Sequence, residues 1–315
     1  MALGGTIRAS RGPFVQRRHS LQMSLEIFVA VLKPSHFGAG EVTGSCLPVL
    51  HVFKDGNATA MDCAESPLLR AINMLNATAM DCAESPLLRA INMLSAAFPN
   101  LLIACDVCLC PYTDHGQCGI YDKEGYLDRA LTTKRLMEVT VALGRAGCHV
   151  VVPSDIQDCC VAPIKAALFD AGLGTSVSLL SCSAKFSSCF YGPLRDTDKP
   201  AGADGDAKCC QLPSGSCGLA LRAVERDTKE GADMLMVKPG LPYLDVVRII
   251  KDHYPGYPLF VYQSAGEYSM LWHAACQGTF DLHLAVLEAV KSFRRAGADV
   301  IVTYFTPQLL DWIQK

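Results

Sequence analysis

No stretch of this 315-residue chain stays apolar for the roughly 20 residues that a membrane-spanning helix needs. IFVAVL, from Ile27 to Leu32, falls far short. The chain is therefore expected to be soluble, with no membrane partner. It also lacks a charged field. Lys and Arg number 28 against 31 Asp and Glu, a net charge of −3, which supplies neither the basic surface that nucleic acid requires nor an acidic tail. Small-molecule chemistry fits this balance better. Acids are missing from the first 25 residues, which carry Arg8, Arg11, Arg17 and Arg18. Organelle transit peptides and plain irregular termini share that composition. A cytoplasmic location is the expectation, with organelle targeting as the alternative.

Apolar residues and cysteine are plentiful. Half of the chain is hydrophobic, enough to bury the core of one large α/β domain or two ordinary ones. Sixteen cysteines are scattered without the framework of a small disulfide-bonded domain, and several fall in apolar strands. That pattern points to a reducing compartment, with thiols and a metal rather than disulfides.

Along the chain, residues 1–56 read as an irregular segment: LEIFVAVL and LPVLHVF are separated by KPSHFGAGEVTGSC, which has no helical pattern. NATAMDCAESPLLRAINML then occupies 57–75 and again 76–94 without a difference. Solenoids need three or more diverged units, so this tandem copy is not read as a repeat fold. The second copy abuts the next strand, with Ser85-Pro86 opening a helix to about Phe98, and the first copy is read as an insert.

Residues 95–315 read as one domain. Continuous apolar strands alternate with amphipathic helices, the mark of parallel βα units. Strands are expected at LLIACDV, HVVVPSD, SVSLLSCSAKF, MLMVKP, LFVYQSA and VIVTYF. Helices are expected over Asp128–Arg145, Val161–Ala171, Gly218–Lys229, Tyr243–Asp252 and Leu282–Arg295. Polar or reactive residues at the strand ends indicate a TIM (β/α)8-type barrel with its site at the carboxyl face. A doubly wound open sheet is the second choice, because no glycine-rich phosphate fingerprint follows any strand. The glycine-rich connection 187–216 has the length of a lid.

Two groups of residues carry chemistry. In CDVCLCPYTDHGQC, strand alternation puts Asp106, Cys108 and Cys110 on one face, and the loop after Pro111 returns Cys118. Three thiolates suit a zinc ion with an open position; free thiols beside a core strand are the other reading. Lys185 and Lys238 close two neighbouring strands. Two amines in one pocket depress each other's ammonium pKa, and a neutral amine attacks a ketone to form a Schiff base. Snorkelling surface lysines, or a simple aldolase using Lys238 and no metal, stay open at this point.

The ordered motifs ACDVCLCPYT, PSD, SAKF-SCFYGP-RD, GADMLMVKPG-PYLD, GE-SMLWH and TYFTPQLL resemble the porphobilinogen synthase (aminolevulinate dehydratase) family, from about Asp81 to the carboxyl end. The resemblance implies a TIM barrel that condenses two aminolevulinate molecules to porphobilinogen for haem and other tetrapyrroles. It implies Lys185 and Lys238 as Schiff-base lysines and Cys108, Cys110 and Cys118 as zinc ligands. Arg195, Gln211 and Tyr191 would belong to the lid, Asp106 and Ser154 would line the site, and Tyr304 would hold a substrate carboxylate. A homo-oligomer is implied as well.

The chain departs from that pattern in places. Residues 1–56 match the family's arm and first βα unit poorly, with LPVLHVFKDG the candidate second strand, so the barrel is expected to be incomplete at its first βα unit. Ala207 replaces a basic lid residue, with Lys208 beside it, and Cys210 replaces a tyrosine. Ala265 replaces a serine, and neighbouring Ser264 is a poor stand-in because adjacent strand residues face opposite ways. Cys159-Cys160 replaces a Gly-Arg pair, and Cys182 a tyrosine. The competing reading is therefore a weakly active or inactive relative that binds zinc or co-assembles with intact subunits.

Overall fold

From Ile103 onward strands are joined by helices, one between most pairs and two between the last pair, and each strand pairs in parallel with the one before it, so the sheet order is the chain order. The computed structural model describes residues 30–32, 85–99, 101–109, 118–154, 159–191 and 211–313. Its strands are β1 (Ala30–Leu32), β2 (Ile103–Val107), β3 (Val150–Pro153), β4 (Ser178–Lys185), β5 (Met234–Lys238), β6 (Leu259–Tyr262) and β7 (Val300–Val302). The helices are α1 (Pro86–Ala97), α2 (Arg129–Arg145), α3 (Val161–Asp170), α4 (Cys217–Lys229), α5 (Leu244–His253), α6 (Ala265–Cys276), α7 (Leu282–Ala296) and α8 (Thr306–Ile313).

Several helix ends have a local cause. Pro86 sits in the first turn of α1, where a missing N–H costs nothing. Asp128 and Asp281 cap α2 and α7, accepting from the amides of Leu131 and Leu284 at 2.9 Å each. Gly297 closes α7 at φ +119°, a left-handed conformation that glycine adopts without penalty.

Strands β2 to β7 are buried on both faces, which is why they read as continuous apolar runs. The inner face is one cluster that includes Ala104, Val152, Leu180, Cys182, Met236, Phe260, Tyr262 and Val302. Side chains from β2 to β7 can meet in one cluster only if the sheet curls on itself, as in a TIM barrel. The outer face packs on two helix layers. One joins α1, α2 and α3 to β2 and β3, and the other joins α4 to α8 to β4, β5, β6 and β7.

Among the described residues the sheet runs from β1 to β7, one strand short of the eight of a closed barrel. The parallel neighbour of β2 comes from LEIFVAVL, with Ala30, Val31 and Leu32 opposite Ile103, Ala104 and Cys105. LPVLHVFKDG, the expected second strand, lies outside the described residues, as do the first copy of the duplication and most of the lid connection.

Candidate active site

The carboxyl ends of β2 to β7 and the turns beyond them carry those residues singled out in the sequence that lie among the described residues. Lys238 ends β5 on the inner face, following Met234 and Met236 at the two-residue period. It is only 3 % exposed. Its Nζ lies 3.9 Å from the ring centroid of Tyr262 and 5.5 Å from that of Tyr191, so an ammonium here rests on aromatic faces. Lys185 ends β4 directly opposite Lys238 in the parallel register, about 4.8 Å away at the backbone. Its Nζ donates to the carbonyl oxygen of Ser154, 2.8 Å away at the end of β3.

The chain beyond the lysines is pinned by backbone bonds. The amide of Phe186 donates to the Lys238 carbonyl at 2.9 Å, and the amide of Leu212 donates to the Lys185 carbonyl at 3.0 Å. This second bond sets Gln211, the last described lid residue on that side, beside the end of β4. Phe186 and Tyr243 stack with ring centroids 3.9 Å apart, locking the two strand ends together.

Tyr191 comes from a short 3-10 turn, Cys189–Tyr191, and is 4 % exposed. Burial first, then the neighbouring Cys182, Glu267, Tyr262 and Tyr243, raises its phenol well above the usual range. Tyr304 follows β7. The Tyr262 hydroxyl donates to the Tyr304 hydroxyl at 3.5 Å, and Tyr304 packs against Tyr268 as well. Asp106 and Ser154 are both buried, at the ends of β2 and β3.

Sequence reasoning missed Glu267. Its carboxylate is fully buried and accepts from the amides of Leu241 at 2.6 Å and Gly240 at 3.3 Å, and from the Ser264 amide at 2.5 Å and hydroxyl at 2.8 Å. One side chain thus ties the turn after Lys238 to the start of α6. Burial pushes its carboxyl up, offset in part by these bonds. The signal that could have found it is the Ser264-x-x-Glu267 spacing of a capping box. The same contact settles Ser264: its hydroxyl faces Glu267 because it is a helix cap beyond the end of β6, not because of strand alternation. Ala265 is the first residue of α6.

For a metal, the sulfurs of Cys108 and Cys118 lie 3.8 Å apart. Two thiolates on one tetrahedral zinc, each at about 2.3 Å, sit about 3.8 Å from each other, so this pair fits. Cys110 and Arg195 lie outside the described residues, together with Ala207, Lys208 and Cys210. Among the described residues, no three His, Cys, Asp or Glu side chains form a metal-binding group.

The remaining cysteines play other parts. Cys105 and Cys148 are buried on the outer face, and burial, reinforced by Cys148, pushes the Cys105 thiol up. Cys182 fills the barrel interior with its sulfur 3.8 Å from that of Met236. Cys159 holds φ at +70°, a conformation suited to the glycine it was expected to replace.

The sequence model of the family described as delta-aminolevulinic acid dehydratase matches residues 68–312. Proteins of that name from Macaca fascicularis and Bos taurus are 58 % and 56 % identical to this chain over 262 residues, covering 83 % of it and 74 % of each relative. A crystal structure of delta-aminolevulinic acid dehydratase (porphobilinogen synthase) from Toxoplasma gondii, in complex with the reaction product porphobilinogen, is 41 % identical with a TM-score of 0.71. The match covers 74 % of this chain and 66 % of that one, so this chain spans just under two thirds of the solved protein. By sequence and by fold, the chain belongs to the delta-aminolevulinic acid dehydratase (porphobilinogen synthase) family of lyases.

Proposed function

We propose that this chain condenses two molecules of aminolevulinate to porphobilinogen, releasing two waters, through Schiff bases on Lys185 and Lys238. One observation carries the reading: two lysines occupy paired register positions at the barrel's carboxyl face, and one is buried against Tyr191 and Tyr262. A lone buried lysine would serve an aldolase. Two in register serve a reaction that must hold two ketones side by side.

In each half of the reaction a neutral amine attacks the substrate ketone, the carbonyl oxygen leaves as water, and a carbon–nitrogen double bond replaces it. Arg195, Gln211 and Tyr191 from the lid region, with Tyr304, would bind the substrate carboxylates through charge-assisted and neutral hydrogen bonds. Asp106 and Ser154 would line the same site. Cys108 and Cys118, with Cys110 as the third thiol, would hold zinc. When bound there, zinc supplies Lewis-acid polarisation of a substrate oxygen. Assembly with further copies of the chain in the cytoplasm completes the reading.

A second reading, a zinc-binding relative with little turnover, rests on α6. The Ser264 hydroxyl is committed to Glu267 and residue 265 is an alanine, so neither offers a hydroxyl to a substrate carboxylate. Borohydride trapping of zinc-loaded protein with aminolevulinate, followed by mass mapping, separates the two. Porphobilinogen formation and an adduct on Lys238, abolished in Lys238→Ala, support the proposal. A zinc-loaded protein that forms neither supports the second reading, and undiminished trapping in Lys238→Ala removes Lys238 from the role.

A further inference from the structure

Strict alternation along β4 would turn Lys185 away from the site. Leu180 and Cys182 face the barrel interior, so at a period of two the next inward residue is Ala184, and Lys185 points at the helices. The register shows why it does not. Ser181 pairs with Leu235 and Ala184 with Val237, so three steps on β4 cover two on β5, and Cys182 and Ser183 together oppose Met236. Ala184 packs in the outer layer with Val237, and Lys185 returns inward opposite Lys238. One extra residue decides which face the amine takes.

Such bulges are rare between parallel strands and leave a residue outside the ladder. This one is anchored by a chain of buried polar groups. The hydroxyls of Ser181 and Ser183 lie 3.1 Å apart. The Ser181 hydroxyl donates to Asp227 Oδ2 at 2.5 Å, and Asp227 Oδ1 accepts from Arg226 Nε at 2.8 Å. Ser181, Ser183 and Asp227 are 4 %, 2 % and 5 % exposed, and the other buried residues of the helix that carries Asp227 are Ala220, Ala223 and Val224. Burying a carboxylate among alanine and valine is costly unless its bonds are well made. A plain strap between strand and helix would account for one such bond. Here the chain holds both residues flanking Cys182, inside the bulge itself and two residues before Lys185.

We infer that Asp227 is a positioning residue for Lys185: through Ser181 and Ser183 it holds the β4 bulge that turns the Lys185 amine into the barrel beside Lys238. The inference rests on the role proposed for Lys185 above, but its test does not need turnover. In the full-length protein, reductive methylation from neutral to alkaline pH with mass mapping reads the Lys185 to Lys238 labelling ratio. In Asp227→Ala the ratio is expected to rise about fivefold or more, the factor one lost hydrogen bond allows, as Lys185 leaves the Ser154 carbonyl for solvent. Asp227→Asn keeps an oxygen for Ser181 and should restore the wild-type ratio.

An unchanged ratio and pH profile in Asp227→Ala, with only a lower unfolding midpoint, would overturn the inference. If Asp227→Ala does not fold, Ser181→Ala carries the same test with the same two outcomes. In a parallel arm with aminolevulinate and borohydride, the Lys185 adduct should fall in Asp227→Ala while the Lys238 adduct persists. Wild-type protein that forms no adduct counts against the proposed function, and the methylation ratio still decides the positioning.

Discussion

At the scale of single residues, Glu267 shows how a side chain quoted in a motif but given no role there can hold the site. It binds amides on both the turn after Lys238 and the cap of α6. Leaving a buried hydrogen-bond donor without a partner costs about 1 to 3 kcal/mol, so Glu267→Gln, which turns an N–H₂ toward those amides, should destabilise the protein by that order. The pH dependence has a definite sign. Burial raises the folded carboxyl above its ordinary value, so the folded state binds the proton more tightly than the unfolded one. That contribution is full below the unfolded value and fades as pH rises through the raised folded value. Urea midpoints of both proteins across the acid range should show the advantage of Glu over Gln shrinking as pH increases; an advantage that grows would contradict it. Lys238 was legible in sequence because its strand keeps the two-residue period. Lys185 was picked out, like Lys238, because it closes an apolar strand; its inward direction was not legible, since the bulge cannot be seen in SLLSCSAK.

Among the elements, the 3-10 turn that carries Tyr191 is placed by contact with α6. A Cβ added at Gly266 would come within 2.5 Å of the Phe190 carbonyl oxygen and 2.6 Å of its Cα. Both are backbone atoms of that turn, so the turn itself must shift. Gly266→Ala should cost about 1 to 3 kcal/mol as an overpacking change and move Tyr191 off Lys238, lowering borohydride trapping at Lys238 several-fold. Gly256→Ala is the control, because a Cβ there meets nothing within 4 Å, and surface changes of that kind stay within about 0.5 kcal/mol. Equal behaviour of the two variants would remove the contact from the argument. Helix α6 was not anticipated as an element although its capping box stands in the sequence, because SMLWH reads as a motif and its apolar residues do not form a clean stripe.

In the molecule as a whole, two outer helix layers are joined by one barrel interior running from β2 to β7. Phe293 is fully buried in the second layer. Phe293→Ala should lower stability by about 3 to 5 kcal/mol. Far-UV and near-UV signals should still unfold in urea as one transition, since the shared interior couples the halves; two separated transitions would show that it does not. From Ile103 onward, strand positions, most helices and the parallel class were readable from the sequence alone, because apolar periodicity, Pro at a helix start and Gly at helix ends act over a few residues. The convergence of Lys185, Lys238, Tyr191, Tyr262 and Ser154 was decided only by the tertiary structure. Inward direction on a strand is set by register with its neighbour, and one extra residue between Ser181 and Ala184 reverses it. The Cys108–Cys118 separation that suits zinc, and the burial that ties Glu267 to the turn after Lys238, likewise depend on how distant segments pack, which local sequence does not encode.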